Sequence, residues 1–225
     1  MDQIEKQKQL SDSLKLLAAF FYEPDITLLE EEGFFQNLSG LFENLCPEAC
    51  DLVENMHSLL QNSSQEELEV AHAELFIGPY ELKASPYGST YLEKKRMVMG
   101  DSTMEVLKFY QRIGLEVDVK QPPDHIAIEL EFLSYLCALE VGAIESGDME
   151  KRAELQVERE IFLGTYVLPW MDEFVKNIRS GTESRYYLCF ADCFEKVLQH
   201  FEILKVPSKK FQFHGMKEYA DAAAH

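Results

Sequence analysis

Few cations, few chain breakers and no long apolar run set the first limits on this chain. Its 225 residues carry 21 Lys and Arg against 40 Asp and Glu, a formal net charge of −19. Affinity for a polyphosphate backbone comes from cations that displace counterions, so nucleic acid is disfavoured as a partner. An acidic surface speeds encounter with basic ligands instead, although solvation alone explains the same composition. The longest uncharged runs, 16–22 and 161–171, fall short of the ~20 apolar residues that span a bilayer. The N-terminus lacks a basic region leading into an apolar segment and a small-residue cleavage site. The expectation is a cytoplasmic protein without stable membrane insertion.

Eleven Gly and eight Pro stay below the usual ~12% for the two together. The prolines fall between periodic apolar segments rather than inside them. With 46% hydrophobic residues there is enough to bury a core, and no linker, repeat or low-complexity tract divides the chain. The reading is all-α: one globular helical bundle of about nine to eleven helices over residues 1–205, followed by a C-terminal tail, 206–225, either free or docked.

The five cysteines are an odd number, which fits reduced thiols better than a disulfide framework. Cys46 with Cys50 and Cys189 with Cys193 stand four apart, so a four-thiolate site would require the two pairs to meet. Structural zinc prefers tighter, turn-borne spacing, and Leu188, Phe190 and Phe194 make the second pair read as core. Also missing are His-Glu-x-x-His, a Walker loop, Gly-x-Gly-x-x-Gly and Gly-x-Ser-x-Gly.

What is present is helical periodicity. Leu10, Leu14, Leu17 and Phe21 form one face ahead of Pro24, and a short helix follows Asp25. Residues 34–45 and 47–60 read as a helix pair, the second opened by Pro47. Ser64 with Glu67, and Ser102 with Glu105, have capping-box spacing. Between them, 79–100 reads as a loop rich in Gly, Pro and aromatic residues, and 115–121 as extended chain. After a turn at 146–148, a charged helix runs to about Tyr166, and Pro169 restarts helix through Ile178. A final helix over 183–204 buries Tyr187, Ala191, Phe194, Leu198 and Phe201.

The most informative stretch is Gln121-Pro122-Pro123-Asp124-His125 and the apolar helix behind it. The diproline bars a helix start much before Asp124, which makes Asp124 the expected N-cap. Ile126, Leu130, Leu133 and Cys137 form the buried stripe, and His125 and Glu129 are i, i+4 neighbours beside it. On residues alone, Asp124 and His125 are a cap and a first-turn residue. Beside an aromatic loop, an acid and an imidazole can also hold an Arg or a backbone group of a docked peptide. Leu75, Phe76, Tyr80, Pro86, Tyr87 and Tyr91 are a second group, split between core and peptide-gripping surface. Trp170 reads as packing between helices.

This segment resembles the Pro-x-Asp-His-x-x-x-Glu-Leu signature of the TorD/DmsD/NarJ family of molybdoenzyme-maturation chaperones. Upstream, His72 to Gly78 and the Ser85-Pro86-Tyr87-Gly88-Ser89-Thr90-Tyr91 run are similar to its Leu-Phe-x-Gly and Pro-aromatic-x-Ser-x-Tyr segment. Downstream, Pro169-Trp170 with Phe174 resembles its Pro-Trp-x-x-x-Phe helix start. Gln121 stands where many relatives carry Glu, and Tyr87 where some carry Trp. The resemblance implies an all-α cytoplasmic chaperone of anaerobic respiration, without catalytic turnover, metal or cofactor of its own. It would bind the twin-arginine signal peptide of a molybdopterin-containing oxidoreductase catalytic subunit and assist assembly before export, as a monomer or a domain-swapped homodimer. The implied peptide site combines Leu75, Phe76, Pro86, Tyr87, Ser89, Tyr91, Pro123, Asp124, His125 and Glu129. The competing class is a small metal- or ligand-dependent helical enzyme that uses His125 and Glu129.

Overall fold

The computed structural model describes residues 2–30, 33–78, 82–93, 98–116 and 121–203. Tyr80, most of the stretch expected to be extended, the Phe201 side chain and the expected tail lie outside the described residues. The order of elements is α1 (Gln3–Ala19), α2 (Ile26–Glu30), α3 (Phe34–Leu45), a 3-10 turn (Pro47–Ala49), α4 (Cys50–Gln61) and α5 (Gln65–His72). A wide π-helical turn (Ala73–Ile77) then leads to α6 (Ser89–Leu92), α7 (Asp101–Arg112), α8 (Ile126–Glu145) and α9 (Met149–Phe162). A second π-helical turn (Leu163–Val167), α10 (Leu168–Gly181) and α11 (Arg185–Ile203) complete the order. The fold is all-α, and the one strand-like feature among the described residues is an isolated antiparallel bridge between Tyr87 and His125.

Helix α8 is central. It packs most extensively on α1 and next on α9. Thirteen of its residues are buried, far more than the single stripe expected, because neighbours cover it on several sides. A helix apolar nearly all round belongs inside a core. At the end of α1 the consecutive rings Phe20 and Phe21 are also interior, with Phe21 5.1 Å from both Phe190 and Phe194 of α11. The buried side chains join into one hydrophobic core drawn from Leu10 through Leu198. No described helix is long and apolar enough to cross a membrane.

Local signals hold where their partners are local. Ser64 and Glu67 form the reciprocal capping box that opens α5. Asp25 Oδ1 accepts from Leu28 N–H at the start of α2, and Gly147, at φ 76°, makes the turn before α9. The second expected box does not form. Helix α7 begins at Asp101, and the Ser102 N–H and hydroxyl both donate to Glu93 Oε1, at 2.9 and 2.7 Å. Those bonds hold the Glu93 carboxyl below its ordinary range. Gly100 permits the arrangement, since a Cβ there would run into the Glu93 carboxylate.

Pro169 does not restart helix after a break. It sits at the start of α10, directly after the 163–167 turn, and the backbone stays helical from α9 onward. A proline cannot donate to the carbonyl four residues back and its ring crowds that carbonyl, so a widened turn just before it relieves the conflict. The region read as loop likewise contains α6, and α10 runs on to Gly181. The two cysteine pairs do come within electrostatic reach of one another, with burial the main reason the Cys193 thiol is pushed up. Among the described residues no group of three or more His, Cys, Asp or Glu could hold a metal ion.

Candidate functional site

Two short segments, 86–89 and 121–126, are clasped together. Ile126 N–H donates to the Pro86 carbonyl at 2.8 Å and Gly88 N–H to the Asp124 carbonyl at 2.9 Å, which flank the Tyr87–His125 bridge. The diproline sets one side of the clasp. His125 N–H bonds back to the Pro122 carbonyl at 3.0 Å, and the Tyr110 hydroxyl of α7 donates to the Pro123 carbonyl at 2.9 Å.

Here the expected cap is corrected. Asp124 does not cap α8; His125 does, its Nδ1 accepting from Ala127 N–H at 3.2 Å. Asp124 lies one residue too far out, and its Oδ2 accepts from Ser89 N–H at 2.8 Å, at the start of α6. It therefore caps a helix other than the one it precedes.

The acceptor role of Nδ1 places the proton of the neutral ring on Nε2. His125 is buried, with Tyr22 lying nearly parallel at 6.2 Å and Tyr87 edge-on at 5.3 Å. Burial, and secondarily His72, lowers its pKa to about 4. Tyr22 donates to Glu131 Oε1 at 3.0 Å, and Tyr87 to Gln121 Oε1 at 2.9 Å. The Tyr91 ring stacks on Trp170 at 5.0 Å, while Trp170 Nε1 donates to the Tyr166 carbonyl at 2.6 Å. All three sequence segments singled out thus meet here, in the order loop, diproline turn and α10.

The expected site residues divide by depth. Leu75 and Phe76 are core: Phe76 lies against the rings of Phe21, Phe174 and Tyr187, and the Leu75 carbonyl accepts from Ala84 N–H. Pro86, Ser89, Asp124, His125 and Glu129 are buried beneath the clasp, whereas Tyr87, Tyr91 and Pro123 are part-exposed. Sequence reasoning passed over Tyr22 and Tyr110. Tyr110 carried only the signal of a core stripe, and Tyr22 carried none, since it meets His125 through tertiary packing alone.

Residues 43–176 match the model of a protein family described as nitrate reductase delta subunit. The chain is 27% identical over 211 residues to a Haemophilus influenzae protein described as a Tat proofreading chaperone, DmsD, covering 91% of this chain and 97% of that protein. A Vibrio parahaemolyticus chaperone protein TorD is 29% identical over 162 residues, 68% of this chain and 73% of its own. The crystal structure of a protein described as a redox enzyme maturation protein from Archaeoglobus fulgidus is similar, with a TM-score of 0.54 at 27% identity over 84% of this chain and 93% of that one.

Proposed function

The chain belongs to the nitrate reductase delta subunit family, that of the DmsD and TorD redox-enzyme maturation chaperones, and from that premise we propose that it captures the twin-arginine signal peptide of a molybdopterin oxidoreductase subunit. It is a chaperone and not an enzyme. It acts in the cytoplasm, holding its client until the cofactor is inserted and export can follow. In this reading the chaperone domain is residues 1–205.

One observation carries the reading: the clasp holds part-exposed Tyr87 within electrostatic reach of the buried Asp124 carboxyl, with buried Glu129 close behind Gly88 and part-exposed Tyr91 further along the same segment. A leader joins an apolar stretch to an arginine pair, and part-exposed rings near acidic groups suit both parts. Tyr87, Tyr91 and Pro123 are the contacting residues in this reading. Pro86, Ser89, Asp124 and His125 hold them in place, Glu129 adds a buried acidic group close behind Gly88, and Leu75 and Phe76 support the loop from the core. The net charge of −19 favours encounter with a basic leader.

Titration calorimetry with a synthetic leader tests the proposal. The expected result is 1:1 binding that weakens as salt rises and as both arginines become glutamine. Binding that ignores both changes would remove carboxyl recognition from the reading, and absence of binding would overturn it.

A further inference from the structure

Helix α8 carries two interior carboxyl groups about three turns apart, and the fold treats them differently. Glu140 is paired: its Oε1 accepts from Arg159 Nε at 2.6 Å, with both side chains largely withdrawn from water. Glu129 is 0% exposed, and neither of its oxygens has a hydrogen-bond partner among the described residues. Nor is it alone. Asp124 Oδ1 and the hydroxyls of Ser85 and Ser89 are buried in the same condition, so five unpartnered polar atoms belong to the clasp and the start of α8.

An ionised carboxylate in that setting would cost several kcal/mol, whereas a neutral carboxylic acid costs far less. Burial first, and then the charge of Asp124, hold the Glu129 carboxyl well above its ordinary range. Among the described residues, Asp124 acts on Glu129 directly; Tyr110 of α7 feels Glu129, Asp124, Glu131 of α8 and Tyr22 at the end of α1, and His125, the residue before α8, feels His72. Among the described residues, the charged groups acting on Glu129 and Tyr110 are acidic. Glu129 is nevertheless close to the binding face. A Cβ on Gly88 would stand 3.6 Å from its Oε1, and the next residue, Tyr87, reaches the surface.

We infer that Glu129 is a counter-charge kept in reserve: docking of an arginine guanidinium against the 87–89 loop drives the proton of its carboxylic acid into solvent and leaves a carboxylate facing the cation. The inference rests on the reading of this protein as a binder of arginine-bearing leaders. A guanidinium has only donors and does not give up its own proton, so the acid must release its proton. A nearby positive charge in a low-dielectric setting favours the carboxylate form. Linkage is reciprocal, so a ligand that expels a proton is itself expelled by acid. Affinity then falls, by up to about tenfold per pH unit, as pH drops below the point where Glu129 holds its proton. His125, with its pKa lowered to about 4, stays neutral across pH 6–8 and does not mimic the effect.

The experiment is titration calorimetry of the full chain with an N-acetylated twin-arginine leader, in phosphate and in Tris, between pH 6 and 8. The expected result is close to one proton released per leader by the wild type and none by Glu129→Gln, whose affinity stays flat with pH. A leader with Gln in place of both arginines should bind without releasing a proton. Binding with no proton exchange, or equal release by Glu129→Gln, overturns the inference and leaves the chaperone reading intact. No binding at any pH overturns both. Should Glu129→Gln fail to fold, infrared spectra of wild type with carbon-13-labelled glutamate decide the matter: a protonated carboxyl band must be present in the free protein and vanish on adding leader, and a band that persists overturns the inference.

Discussion

Asp124 holds Ser89 across 35 residues of chain, its Oδ2 accepting the Ser89 N–H at 2.8 Å. Both residues are buried, so removing the acceptor strands an N–H in the interior. Asp124→Ala should therefore cost about 1–3 kcal/mol in urea unfolding, and Asp124→Asn, which keeps an acceptor oxygen, clearly less. Equal losses for the two variants would show that the side-chain charge, not the hydrogen bond, secures the loop.

His125 predicts a stability profile in acid. Its folded pKa of about 4 lies below the ordinary ~6.5, so the fold prefers the neutral ring. The associated stability is fully present above pH 6.5 and is lost as pH falls toward 4, by about 3 kcal/mol at most. Burial lowers His72 in the same direction. Glu129 opposes both, because a carboxyl whose folded pKa is raised contributes stability that is lost as pH rises. The difference between wild type and His125→Phe isolates the imidazole: their unfolding free energies should converge from pH 7 to pH 4.5. A constant gap would mean that the ring is not neutral in the fold.

Arg159 and Glu140 form an ion pair with side chains 12% and 1% exposed. Arg159→Met leaves Glu140 buried without a counter-charge and should cost about 3–5 kcal/mol, read by denaturant unfolding. The double variant Arg159→Met with Glu140→Leu should recover most of that loss, because two desolvated charges are replaced by packing. No recovery would mark the pair as irreplaceable.

Tyr87 lies at the edge of the clasp, with its hydroxyl on Gln121 and its ring against His125. Tyr87→Ala should weaken leader binding by about 1–2 kcal/mol, as expected for an aromatic anchor, with little change in melting temperature. A large drop in melting temperature with affinity unchanged would assign Tyr87 to packing.

The parts of this fold legible in sequence are those whose partners lie within a few residues. The stripe of Leu10, Leu14 and Leu17, the Ser64–Glu67 box and the diproline that places the start of α8 within two residues all depend on local geometry. Asp124 and Ser102 were misread for one shared reason. Each has cap-like spacing on its own helix, but the bonds made are to Ser89 and Glu93, which follow from how the segments pack. The π-helical turns at 73–77 and 163–167 have no compositional mark beyond Pro169 after the second. Depth was equally hidden: an i, i+4 rule places Glu129 beside an apolar stripe, and only the full set of neighbouring helices seals it from water.

The rings at the end of α1 also tie completion of the described core to the making of α11. Phe21 is made well before Phe190 and Phe194, the rings it packs against, which are among the last residues of the described core to be made. Tyr22, the next residue in the chain, is the one laid over His125. Contacts between such distant parts of a chain form late, after the entropy of closing a long loop has been overcome. The ring cluster that joins Phe21 to α11 therefore cannot close until Phe194 has been made, and a chain that stops short of α11 lacks it.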